Sequence, residues 1–135
     1  MTIFASDNVT PACPEVIRAI NEANNGEIDS YGNDQWSKNL NKKFSILFEK
    51  EVKVFTATTG TAANSLALSA LTPGYGNIYC HKISHINVDE CGAPEFFTGG
   101  AKLIPLDGNN GKFTAETLKR NIRGSGIVHN TQPSV

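Results

Sequence analysis

Near residue 60 the hydrophobic period of the chain changes, and that change narrows the folds open to it. Residues 52–57 alternate and carry Val52, Val54, Phe55 and Thr56, which predicts a strand. Thr58-Thr59-Gly60-Thr61 predicts a turn. From Ala62 onward Ala63, Leu66, Ala67, Ala70 and Leu71 share one helical face. Pro73-Gly74 stops that helix. A strand that feeds a helix through a four-residue turn opens a β/α unit.

The downstream sequence repeats that alternation. Strands are expected at residues 77–81, at 101–106 and beginning at 126. A loop with a short helix is expected over 84–91, and Asp107 to Lys112 is a turn. Thr114 can cap a further helix, with Phe113 and Leu118 as its hydrophobic staple. Lys119, Arg120 and Arg123 suit that helix's C-terminus, and Gly124 stops it. The fold class is therefore α/β, a mixed, mostly parallel sheet with helices on both faces. Four strands that stop there leave the sheet incomplete, with an open edge.

Two helices precede this region. Pro14 suits a first helical position, Val16, Ile17, Ile20 and Ala23 form one stripe, and Asn25-Gly26 ends it. Trp36, Leu40, Phe44, Leu47 and Phe48 recur at helical spacing over residues 35–49. Between them the polar Tyr31-Gly32-Asn33-Asp34 reads as an exposed loop.

Composition excludes several classes. Of the 135 residues 39% are hydrophobic and 19% charged, ordinary for a globular domain. A net charge of −1 leaves no footprint for nucleic acid or an anionic membrane. No apolar stretch could span a bilayer, and residues 1–7 do not read as a signal peptide, so a cytoplasmic location is expected. Three cysteines make no disulfide framework. Cys80, His81, His85 and Cys91 match no common zinc spacing, and no metal is expected.

Candidate chemistry gathers where strands lead into helices. Thr59-Gly60-Thr61 places unpaired N–H groups and a helix dipole where an anion can sit. It carries neither a Walker lysine nor a dinucleotide fingerprint. The same residues also suit a plain helix cap, and both readings stand. His85 follows the next strand, with Glu90 placed to orient it, and His129 follows the last expected strand. Ligands in such sheets bind beyond the strands' carboxyl ends.

Taken in order, these segments resemble the threonine aldolase family. Ser6-Asp7-Asn8-Val9-Thr10 is similar to its N-terminal Ser-Asp segment, and Tyr31-Gly32-Asn33-Asp34 to its Tyr-Gly loop. Thr59-Gly60-Thr61-Ala62-Ala63-Asn64 resembles its phosphate segment. Ser84-His85-Ile86 with Glu90 resembles the stretch bearing the histidine that stacks on the cofactor. The resemblance implies a pyridoxal 5'-phosphate enzyme of the aspartate-aminotransferase fold type. Thr59, Gly60 and Thr61 would hold the phosphate and His85 would stack on the ring. Ser6 would bind the substrate carboxylate, Tyr31 would lie in a loop near a subunit interface, and His129 would sit near the β-hydroxyl. The activity implied is retro-aldol cleavage of L-threonine or L-allo-threonine to glycine and acetaldehyde.

In that family the cofactor-bonding lysine lies further along. None of the nine lysines here stands in for it. Residues 1–135 are thus expected to be an N-terminal arm and the front part of the cofactor-binding large domain. The lysine region and C-terminal small domain would be absent, and the isolated chain inactive. Its expected partners are an amino-acid substrate, and either further copies in a dimer or tetramer or the remaining fragment of the same enzyme. Two alternatives stay open: β-elimination or transamination on the same fold, and a non-catalytic assembly module.

Overall fold

The computed structural model describes residues 4–6 and 9–135. It divides into two compact units, Met1–Val54 and Phe55–Val135.

The first unit holds two helices. Helix α1 spans Pro14–Ala23, with proline in its first turn. It gives way at Asn24, and Gly26 lies in the left-handed region at φ 75°. Helix α2 spans Gln35–Leu47. Asp34 caps it: one carboxylate oxygen accepts from Ser37 N–H at 2.7 Å and the other from Ser37 Oγ at 2.7 Å. These bonds hold the Asp34 carboxyl below its ordinary value, the backbone donor contributing most. Phe44 and Phe48 stack one turn apart, with ring centroids 6.2 Å apart.

The strand expected at residues 52–57 does not form. A strand is completed by a partner, and strand propensity alone does not supply one. Here α2 takes the backbone donors instead. Val52 N–H donates to Ser45 Oγ at 3.1 Å and Val54 N–H to Asn41 Oδ1 at 2.7 Å.

The second unit is built on a three-stranded parallel sheet of order β2-β1-β3. Helix α3, Gly60–Leu71, leads into β1, Gly76–His81. Two short helices follow, α4 at His85–Val88 and α5 at Ala93–Phe97. Strand β2 is Lys102–Leu106 and pairs with β1 from Asn77↔Lys102 to His81↔Leu106. Asn109–Gly111 forms a 3₁₀ turn, and helix α6, Ala115–Asn121, follows. Thr114 caps α6 by accepting from Thr117 N–H at 3.1 Å, and Phe113 and Leu118 line one groove, as the staple requires.

The fourth expected strand is misplaced. Residues 126–128 form turns, with Ile127 N–H donating to Gly124 O and Asn130 N–H to Ile127 O. The last strand, β3, is Gln132–Pro133, pairing Gly76↔Gln132 and Asn77↔Pro133. Gln132 fixes the preceding turn: its amide nitrogen donates to the carbonyls of Gly124, Asn130 and Ile127. Proline is tolerated in β3 because this strand lies at a sheet edge.

β1 is central and carries the small core. Ile78 and Cys80 are buried with Ala101 and Leu106. His81 is also buried, and both ring nitrogens are used: Nε2 lies 3.0 Å from Gly108 O, and Nδ1 accepts from Ile83 N–H. It is a structural histidine. α4 packs on β1, α6 on β2, and α3 against α5.

Two outcomes follow. Ile78→Ala should cost about 3 kcal/mol, read as a lower urea midpoint at unchanged slope. The Asp34 cap should support α2 fully above pH 3.8, the ordinary carboxyl value. Its support should fade as pH falls through the lowered folded-state value. Asp34→Asn should flatten that acid limb in far-ultraviolet circular dichroism.

Candidate active site

The turn before α3 has the geometry of an anion cradle. Thr59 is the cap: its Oγ1 accepts from Ala62 N–H at 3.1 Å and its carbonyl from Ala63 N–H at 3.1 Å. Those bonds use the third and fourth helical donors. The N–H groups of Gly60 and Thr61 have no partner among the described residues. A Cβ built on Gly60 would meet nothing within 4 Å. The cradle is therefore open on the side where a ligand would approach. The plain cap is formed, and it leaves two donors of the same turn free for the anion-site reading.

His85 begins α4, just beyond the carboxyl end of β1. The connection is a tight turn in which Ser84 N–H donates to His81 O at 2.8 Å. The ring is 61% exposed, and its two nitrogens face different neighbours. Nδ1 lies 2.7 Å from Glu90 Oε1, and Nε2 lies 3.6 Å from Asp89 Oδ2. The Glu90 side chain is fully buried. Its Oε1 also accepts from Asn64 Nδ2 at 2.6 Å, while Oε2 is buried with no partner among the described residues. Asn64 is four residues beyond Gly60, so both lie on one face of α3. Two hydrogen bonds thus tie the His85 ring to the helix face that opens at the cradle.

An apolar cavity of about 400 Å³ adjoins the same turn. Thr61, Ser65 and Ser69 line it from the neighbouring face of α3, with Leu66 and Phe97. His85 takes no part in it.

His129 lies elsewhere. It is exposed, in the turn before β3, and borders a hollow with Asn77, Lys102, Arg123 and Thr131. Asn77 and Lys102 stand at the amino-terminal ends of β1 and β2. His85 stands beyond the carboxyl end of β1, so six residues of strand, roughly 20 Å, separate them. The expectation that His129 follows a strand on the ligand side is corrected. It came from the strand assigned to residues 126–128.

Ser6 and Tyr31 belong to the first unit. Ser6 is exposed, and Asp7 and Asn8 of its motif lie outside the described residues. Tyr31 is 98% exposed and sits at φ 59°, followed by Gly32 at φ 78°. A tyrosine in that left-handed region is uncommon and is held by its turn, where Asn33 N–H donates to Ser30 O. Among the described residues no three His, Cys, Asp or Glu side chains converge as for a metal ion. No helix of the described residues is long and apolar enough to cross a membrane. The part of the site least visible in the sequence is Asn64. The five-residue step from His85 to Glu90 is legible, but a contact spanning 26 residues is not.

Comparison with known proteins identifies the family. A family model described as beta-eliminating lyase matches residues 4–135. A low specificity L-threonine aldolase of a Pseudomonas species is 42% identical over 132 residues. One of Pseudomonas aeruginosa is 43% identical over the same length. Each alignment covers 98% of this chain and 38% of the relative, so the chain spans a little over a third of those proteins. The structure of Leishmania major threonine aldolase superposes with a TM-score of 0.83 at 20% identity, over 93% of this chain and 36% of that one. That likeness is one of fold.

The cradle predicts a measurable affinity. Inorganic phosphate titrated into the chain should shift the Gly60 and Thr61 amide resonances, saturating at about millimolar ligand. Gly60→Ala should leave the fold intact, since its Cβ meets no protein atom, and weaken binding about tenfold.

Proposed function

The chain belongs to the beta-eliminating lyase family, and from that premise we propose that it forms the front part of a pyridoxal 5'-phosphate-dependent aldehyde-lyase. The substrates are L-threonine and L-allo-threonine, and the products glycine and acetaldehyde. The observation that carries this reading is the Asn64–Glu90–His85 chain, which ties an exposed imidazole to the helix face of an open anion cradle. The 42–43% identity to two low specificity L-threonine aldolases supports the choice of substrate.

The residues present fit the cofactor. Its phosphate is a dianion, and the free N–H groups of Gly60 and Thr61 at a twelve-residue helix provide donors and a favourable dipole. Thr59 holds that helix end in place. When bound, the cofactor supplies an electron-accepting ring for the pair released as the Cα–Cβ bond breaks. His85 offers a broad exposed face to that ring. Held by its buried anchor, the imidazole would cover one side of that ring. Ser6 binds the substrate carboxylate, and Tyr31 contributes from the loop that meets another subunit.

His129 takes the proton of the β-hydroxyl. Since it lies at the opposite end of β1 from His85, it would serve the site of another copy. This role therefore goes with a homo-oligomer, a dimer or tetramer, working in the cytoplasm. In the proposed enzyme the lysine that bonds the cofactor and the small domain come from sequence beyond residues 1–135.

A second reading, elimination from β-substituted amino acids, is favoured by the family description itself. One experiment separates the two. Residues 1–135 are joined to the remaining sequence of the Pseudomonas aeruginosa relative, and products are followed with each substrate. Acetaldehyde from threonine is expected, with kcat falling about 100-fold in His85→Ala. Pyruvate from a β-substituted substrate with no acetaldehyde from threonine would favour elimination.

A further inference from the structure

We propose that Asn64 and Glu90 are positioning residues that lock His85 into one tautomer, with hydrogen on Nδ1 and Nε2 turned outward. The inference rests on the proposed function only for what the imidazole faces; the lock itself is read from the chain.

The argument begins with the cost of Glu90. A carboxyl group removed from water is unfavourable unless its oxygens are paired. Glu90 is fully buried, yet only one of its oxygens is used, and that oxygen takes both bonds. The strength is concentrated on the atom that faces His85. A carboxylate only accepts, so the nitrogen 2.7 Å away carries the hydrogen. A free histidine side chain favours hydrogen on the other nitrogen, Nε2. The lock therefore reverses the tautomer that an exposed histidine would adopt unaided.

Asn64 supplies the second half of the lock. A carboxylate's two oxygens are equivalent by a half-turn, so what Asn64 fixes is the plane of the Glu90 group, which would otherwise turn freely about its terminal torsion. The Asn64 amide, donating at 2.6 Å from a helix four residues past Gly60, holds that plane with an oxygen directed at His85 Nδ1. In this way Asn64, which the phosphate-segment resemblance placed near the anion, faces inward to the carboxylate. Among the described residues Asp89 is the other carboxylate within 4 Å of the ring nitrogens. At 3.6 Å from Nε2, with its own side chain 78% exposed, it bonds too weakly to oppose the Nδ1 contact. Lys82 is engaged with Asp107 at 2.6 Å.

The test is ¹⁵N–¹H correlation of the imidazole nitrogens in the 135-residue chain. It is recorded about two units above the ordinary histidine value of ~6.5. The wild-type chain should show a protonated Nδ1. Glu90→Gln should keep that signature, because Asn64 still turns an oxygen toward the ring. Glu90→Leu should abolish it. Adding Asn64→Ala to Glu90→Gln should free the amide to flip and average the two tautomers.

A bare Nδ1 in the wild-type chain would overturn the proposal, as would a Glu90→Leu spectrum unchanged from wild type. If Glu90→Leu fails to fold, the Glu90→Gln pair with and without Asn64→Ala decides. Identical spectra for that pair remove Asn64 from the lock and overturn the proposal as stated. None of these readings requires bound phosphate, so a failed phosphate titration with the tautomer intact would count against the proposed function and leave the lock standing.

Discussion

Everything in the second unit is arranged around a strand paired on both edges. β1 hydrogen-bonds β2 on one side and β3 on the other, both in parallel. Parallel neighbours cannot be joined by a tight hairpin, so the chain must leave the sheet between strands. The excursion from β1 to β2 carries α4 and α5, and with them His85 and Glu90. The excursion from β2 to β3 carries α6 and the turn holding His129. Which histidine lies at which end of the sheet is thus a consequence of parallel pairing.

The core beneath this arrangement is small, and the polar groups within it are used unevenly. His81 has both nitrogens satisfied and closes the turn after β1. Thr98 donates to Pro94 O at 2.7 Å and accepts from Ala101 N–H, finishing α5 and starting β2. Glu90 differs from both. It keeps an unpaired oxygen in the interior while its partner oxygen serves a side chain that is mostly in solvent. Stability alone does not account for such a carboxyl, since an apolar residue there would avoid the desolvation cost.

Local signals were read correctly, while of the partner-dependent ones the strands at 77–81 and 101–106 form and the other two do not. Thr59 and Thr114 each cap the helix expected of them, because a cap is a contact made within three residues, and Asp34, read only as part of a loop, caps α2 in the same way. Pro14 and Pro73 mark helix limits for equally local reasons. The strands at residues 52–57 and 126–128 failed because β-type side chains do not say what lies alongside. The true last strand was hidden by Pro133, which argues against a central strand but is allowed at an edge. Helix α5 left one unread cue, Pro94 in its first turn. Of the candidate site, the turn at Thr59, Gly60 and Thr61 and the place of His85 after β1 were legible. It was not legible at Asn64, whose partner is distant in sequence, nor in the placing of His129, which inherited the strand error.

The segment leaving α2 shows what a helix can do in place of a strand. Successive N–H groups of an extended chain point to opposite sides, so Val52 and Val54 present theirs to the same side. Ser45 and Asn41, four residues apart on α2, meet that pair. Their side-chain oxygens take the donors that a neighbouring strand's carbonyls would take. The helix acts as a one-sided template: two short polar side chains guide the extended chain that follows it, without a ladder.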